Sequence, residues 1–275
     1  MNSRQRLLTA LNRGTPDQLP VTTHHILDYF RNRYMNGMSN LEIFDHFGLD
    51  AIHWSAPVQP DISLGDYFDS SDPPTNNPLH SRRIVNDNWR ITTEVIPSQE
   101  YATTRYTINT PKGNLSTVLQ SNQYTTWVSE HLIKEKHDIE LIAEFSTHPL
   151  CDIEKVNKDA DFLGDRGIIR GHIPGFDIYG QPGCWQDAAV LVGIERLIME
   201  TYDDPAWVHA LLEILYQRKA SFIQSLEGAR YDILELGGGD ASSTVISPKI
   251  FRKFVAPYDA RLIELAHQAD QRIAY

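Results

Sequence analysis

Cysteine is almost missing from this chain of 275 residues: there are two, Cys151 and Cys184. Two cysteines cannot build a disulfide framework, and this pair is not spaced as a close metal-binding couple. Such scarcity fits a reducing, cytoplasmic compartment. Positive charge is also in deficit, with 25 Lys and Arg against 36 Asp and Glu and a formal net charge of −11. Affinity for a phosphate backbone comes from Lys and Arg displacing counterions, so this balance argues against nucleic acid as a partner. No run approaches the ~20 apolar residues of a membrane-spanning helix. Behind the charges of Met1-Asn2-Ser3-Arg4-Gln5-Arg6 there is no apolar stretch, so neither a signal peptide nor a membrane partner is expected. No Gly-x-Gly-x-x-Gly follows a strand, which speaks against dinucleotide binding. Gly237-Gly238-Gly239 lacks the Gly-Lys-Ser/Thr that would make it a phosphate loop.

What is present is a hydrophobic content of 41%, enough for a substantial core. Ser3 caps a helix over 3–13 whose apolar face is Leu7, Leu8 and Leu11, and Leu19–Thr23 then reads as a short strand. A helix over 39–47, closed by Gly48, leads into a strand at 50–54. Residues 60–80, rich in Asp, Ser, Pro and Asn, read as a long surface loop. From 86 to 120 the pattern becomes strict alternation, with Trp89, Ile91, Thr93 and Val95 on one face and Thr110-Pro111-Lys112-Gly113 as a hairpin turn. Beyond residue 130 helix and strand alternate again. Helices are expected at 137–146, 152–161, 185–192 and 194–201, and a long one follows Asp203-Asp204-Pro205. Strands are expected at 167–172, 231–236 and 271–275, and Pro257 should kink or divide the last helix. This alternation implies a parallel sheet covered by helices, and an open doubly wound sheet and a closed barrel both satisfy it.

Three stretches resemble the uroporphyrinogen decarboxylase-like family. They are Ser3 to Leu11 with Thr15-Pro16-Asp17-Gln18-Leu19-Pro20-Val21, Tyr202-Asp203-Asp204-Pro205 with its long helix, and Asp232 through Gly237-Gly238-Gly239-Asp240 to Ser247-Pro248-Lys249-Ile250-Phe251 and Pro257-Tyr258. The resemblance implies an α/β fold of the (β/α)8 TIM-barrel type, a single domain over 1–275 with an antiparallel hairpin insertion at about 86–120. A full barrel needs eight strands, and about five core strands are read here. The barrel is therefore expected to be C-terminally incomplete, the front portion of a longer protein. Its open strand edges would favour a homodimer.

Two departures bear on function. The stretch His24-His25-Ile26-Leu27-Asp28-Tyr29 has no Arg where true decarboxylases carry an Arg-rich loop, and Ala56 stands where they carry an Asp. The resemblance therefore points to the family's methyltransferase-type branch, which moves a methyl group between a small compound and a corrinoid protein or thiol with the help of zinc. Zinc and, through a partner protein, a corrinoid are the implied cofactors. The family's His-x-Cys metal ligands would begin about where this chain ends at Tyr275. Porphyrin biosynthesis by uroporphyrinogen decarboxylation is the alternative, and a non-catalytic ligand-binding fragment is a third reading.

In a barrel the active residues sit where strands run into βα loops. That rule selects Asp240 and His172 as catalytic candidates, and His24, His25, Trp54, Ser55 and Glu235 as ligand-binding ones. Asp240 is a ligand-bonding carboxylate or an ordinary turn residue. His172 is a proton donor or ligand, because imidazole titrates near neutral pH, or a hydrogen-bonded loop residue. At most one of His24 and His25 should face the mouth if the strand persists there, because neighbouring strand residues point to opposite faces. Glu235, inside a strand, needs a partner if it points inward. Trp54 and Trp185 line an apolar pocket or are simply core.

Overall fold

A computed structural model describes residues 1–74, 82–97 and 99–275. Its parallel sheet has four strands, β1 (Ala51–Trp54), β6 (Gly167–His172), β7 (Ile233–Glu235) and β8 (Ile273–Ala274), and they lie side by side in chain order. An antiparallel sheet of β2 (Arg90–Ile96), β3 (Ala102–Thr110), β4 (Gly113–Ser121) and β5 (Thr126–Glu130) intervenes between β1 and β6. A doubly wound sheet reverses strand order part-way, and this one does not. The fold is thus mixed α/β on a singly wound parallel sheet.

Nine helices matter to the packing: α1 (Ser3–Leu11), α2 (Asp28–Tyr34), α3 (Asn40–Phe47), α4 (Asp138–Phe145), α5 (Ile153–Leu163), α6 (Cys184–Val192), α7 (Ile194–Asp203), α8 (Pro205–Gln224) and α9 (Ala256–Gln268). Asn2 and Ser39 close capping boxes at the starts of α1 and α3, and Asp204 with Pro205 starts α8. The helix begun at Pro248 is divided next to Pro257, as expected. A π turn over Phe251–Val255 separates that first turn from α9 and widens the helix where the proline has no N–H to donate. Among the described residues no helix is long and apolar enough to cross a membrane.

Strand register sorts the parallel sheet into two faces. Trp54 pairs with Arg170, Arg170 with Ile233, His172 with Glu235, and Glu235 with Ala274. These residues share one face, because side chains alternate along a strand. On the other face Ile169 and Leu234 are buried in the main core with residues of α6, α8 and α9. The helix α1 closes the N-terminal ends of the strands. Arg4 donates to both carboxyl oxygens of Asp232 at 2.6 and 2.7 Å and to the carbonyl of Gly167 at 3.2 Å, while Arg6 holds Asp50. The C-terminal ends carry no such plug.

The expected strand at Leu19–Thr23 is not formed. Only Val21 engages its neighbour, accepting from the Asp50 N–H at 2.7 Å and donating to the Asp50 carboxyl at 3.1 Å. Leu19 is 82% exposed, so no sheet partner covers the segment. Of the loop expected over 60–80, residues 75–80 lie outside the described residues. The rest is more than surface loop: Tyr67–Phe68 pairs with Ile84–Val85, and buried Asp69 and Asp72 gather Arg83. The face running from Trp89 to Val95 is buried only at its start. Trp89 is fully enclosed, whereas Val95 is 75% exposed where the antiparallel sheet outruns the core.

A fully buried ion pair fixes the loop after β6. Lys219 on α8 reaches Asp187 on α6 at 2.7 Å and gives its other two protons to the carbonyls of Pro174 and Gln181 at 3.0 and 2.9 Å. The second oxygen of Asp187 accepts from the N–H groups of Phe176 and Gln181 at 3.0 and 2.7 Å. All three ammonium donors are therefore used. Replacing Asp187 with Ala strands a buried cation and two amides, and should cost about 3–5 kcal/mol. Urea denaturation measures this, and a loss below about 1 kcal/mol would contradict the account.

Candidate functional site

Arg170 stands in the middle of the inner face, at the C-terminal end of the sheet. An arginine buried in a strand must find acceptors, since an uncompensated internal charge is costly. Its guanidinium donates to the carboxylate of Glu235 on β7 and to Nε2 of His24, and lies 4.5 Å from the centre of the Trp54 ring. Arginine only donates, so Nε2 of His24 is the acceptor and Nδ1 carries that ring's proton. His24 Nε2 and Glu235 Oε2 are 3.6 Å apart, with the cation bridging them.

Aromatic rings complete the cluster. Trp54 contacts His172 at 5.4 Å and His25 at 5.2 Å, and His24 meets His25 edge-on at 3.9 Å. A cavity of about 380 Å³ opens here, lined by His24, His25, Trp54, Arg31, Asn40 and the turn Asn122–Thr126. The antiparallel sheet, through the turn between β4 and β5, thus supplies one wall. A second cavity of about 590 Å³ lies beyond His172 and shares Thr126 with the first.

The candidates separate by position. His24 and His25 both line the first cavity. The alternation rule has no hold there, because the segment is not a strand. Trp54, Glu235 and His172 face inward as well, and Glu235 has the partner it needs. Ser55 does not join them. It points to the helix side, where its hydroxyl donates to Asp159 on α5 at 2.7 Å, because one residue past Trp54 the side chain reverses face. Trp185 is core, and its indole N–H donates to the carbonyl of Asp240 at 3.1 Å. Asp240 sits in a short turn, Gly239–Ala241, that lines neither cavity. Partial burial raises its pKa.

Three contributors were not singled out from sequence. Arg170 announces itself as a charge inside an apolar strand. Arg31 gave no signal, because α2 has no recognisable apolar periodicity, and Asn40, at the start of the expected helix α3, reads as an ordinary first-turn residue. Both leave polar atoms without partners: Arg31 Nε, Asn40 Oδ1 and Trp54 Nε1 are buried and make no hydrogen bond among the described residues. His172 Nδ1 is in the same condition.

The donor set does not fit a metal. Among the described residues no group of three His, Cys, Asp or Glu is placed to hold one. Arg170 already puts positive charge between His24 and Glu235, where a cation would have to sit. Burial pushes the Cys151 thiol up to about 12 and raises that of Cys184 as well, so neither is a thiolate at neutral pH.

Burial also pushes the imidazole of His172 down to about 4, against the near-neutral titration expected of it. Being neutral at pH 7, it offers one donor and one acceptor rather than a charged proton donor. The unfolded chain takes up this proton first, near pH 6.5, so stability is lost as pH falls from there toward 4. The contribution is roughly 3 kcal/mol. The variant His172→Gln should lose correspondingly less stability between pH 7 and 4.5. An NMR titration placing His172 near 6.5 would refute this.

No curated protein matches the chain. Among solved structures, a methyltransferase from Methanosarcina mazei is similar with a TM-score of 0.47 and 13% identity, covering 99% of this chain and 68% of that one. Residues 178–275 match the family model for Uroporphyrinogen decarboxylase (URO-D). That match takes in α6 to β8 and the glycine-rich turn. Over its C-terminal third the chain carries the sequence pattern of the uroporphyrinogen decarboxylase (URO-D) family.

Proposed function

We propose that the strand-end cavity binds a small organic substrate, and that the chain acts as a methyltransferase-like enzyme on it, exchanging a methyl group with a corrinoid protein or a thiol. One observation carries the site: Trp54 Nε1, Arg31 Nε and Asn40 Oδ1, three buried polar atoms without partners among the described residues, belong to residues lining the same cavity. Leaving such atoms unpaired costs about 1–3 kcal/mol each, which a ligand carrying an acceptor and a donor would recover. The reaction class rests on the family pattern over 178–275 together with the arginine-free stretch His24–Tyr29. The (β/α)8 barrel, with β2 to β5 as an insertion, is supported by the singly wound strand order.

The residues divide the work. Arg170 holds Glu235 and His24 in place and neutralises the carboxylate, so Glu235 is an anchor rather than a free base. Trp54 and His25 give a flat apolar wall for the substrate, and neutral His172 offers a hydrogen bond at its edge. Zinc and a corrinoid partner rest on family resemblance, and no step is assigned to them here. Decarboxylation is the second reading. It is favoured by Arg31, which brings a cation to the cavity just beyond the arginine-free stretch.

Calorimetry of the chain against methylamines, methoxybenzenes, methanol and methyl thiols tests the proposal, with methyl transfer to a corrinoid protein as the activity readout. One class should saturate, and Trp54→Ala and Arg31→Gln should each weaken it about tenfold. Carbon dioxide release from uroporphyrinogen, with no methylated compound bound, would establish the second reading. Binding without any turnover would leave a ligand-binding module.

A further inference from the structure

We infer that the second cavity is a binding site for an organic carboxylate, received by Arg218. Arg218 projects from α8, is only 5% exposed, and lines this cavity of about 590 Å³. One amino group donates to Asp177 Oδ1, while Nε and Nη1 have no acceptor among the described residues. The other oxygen of Asp177 accepts from the Trp89 indole N–H at 3.0 Å and makes no bond to Nε or Nη1. A buried guanidinium with two idle donors is an expensive arrangement unless something completes its fork.

The walls indicate what completes it. Three arginines, Arg82, Arg83 and Arg218, line the cavity against two aspartates, Asp72 and Asp177. Arg83 is already answered by Asp69 and Asp72, so among the described residues the lining guanidinium with buried idle donors is that of Arg218. Between the charges lie Phe176, Leu119, Ile178 and Tyr106. A planar fork matches a carboxylate in two parallel hydrogen bonds, and apolar walls suit an organic body better than a strongly hydrated inorganic ion. Phe176 stacks on the guanidinium, with its ring centre 5.0 Å from the central carbon. Nε and Nη1 are themselves buried, so a ligand reaches them after a side-chain rotation of the kind common on binding. The site is separate from the strand-end cavity and stands whether or not methyl transfer occurs there. His172 and Thr126 are where the two adjoin.

Benzoate is the probe, titrated into the full chain by calorimetry while the Trp89 indole N–H is followed by NMR. Saturable one-to-one binding with a shift of that resonance is expected, with benzamide at least tenfold weaker. Arg218→Gln should lose at least tenfold, while Arg31→Gln, which alters only the first cavity, should leave benzoate affinity within about twofold. The benzoate–benzamide comparison needs no variant, so it decides the matter even if Arg218→Gln fails to fold. The inference falls if benzoate does not saturate, if benzamide binds equally well, or if inorganic phosphate binds in preference. It also falls if Arg31→Gln abolishes benzoate binding, which would place the ligand in the first cavity. Loss of methylated-compound binding with benzoate binding intact would sink the proposed reaction and leave this site standing.

Discussion

A guanidinium on the inner face of a parallel sheet has to be answered before that face can close, and Arg170 organises everything around it. Its acceptors come from three separate parts of the chain: Glu235 on the neighbouring strand, His24 on an irregular segment far away in sequence, and the π face of Trp54 on β1. Deleting any one leaves part of a buried charge uncompensated, which is where large energetic penalties arise. The same interaction explains why the stretch around His24 and His25 is held at the mouth although it pairs with no strand. Polar contacts do there what a backbone ladder would otherwise do.

The two ends of the sheet are built differently, and the difference decides where a ligand can enter. At the N-terminal end α1 presents Arg4 and Arg6 to Asp232 and Asp50, so the charges there are paired across the strand ends. At the other end loops cover the strands, and buried polar atoms of Trp54 and His172 have no partner among the described residues. The loop after β6 would be expected to move, yet Lys219 and Asp187 clamp it from beneath. A preorganised loop between two cavities loses less entropy when a ligand arrives. Stability and binding are thus spatially divided along the strands.

Much of this was legible in the residues, for identifiable reasons. The strand Gly167–His172 and the helix begun by Asp204-Pro205 carry strong local signals, namely flanking glycines and a capped proline start, and both form where expected. The strand expected at 19–23 does not form, because the β-branched run Val21-Thr22-Thr23 looks like a strand whether or not a neighbour exists to pair with. Ser55 was placed at the mouth by proximity in sequence, but a single residue's shift along a strand reverses the face. β5 and α2 gave no pattern above background, and Arg31 was overlooked with them. Arg170 could have been noticed, since a charge within Ile168-Ile169-Arg170 demands a partner and Glu235 had already been identified as needing one.

Trp54 is the residue on which the functional account turns, because it touches His24, His25, His172 and Arg170 at once. A crystal structure of the protein grown with a methylated compound that it binds tests this directly. The account predicts ligand density against the Trp54 ring, within hydrogen-bonding distance of its indole nitrogen and of Arg31 Nε. Density on the helix-covered face beside Ser55 and Asp159, with the mouth at Arg170 unaltered, would contradict it.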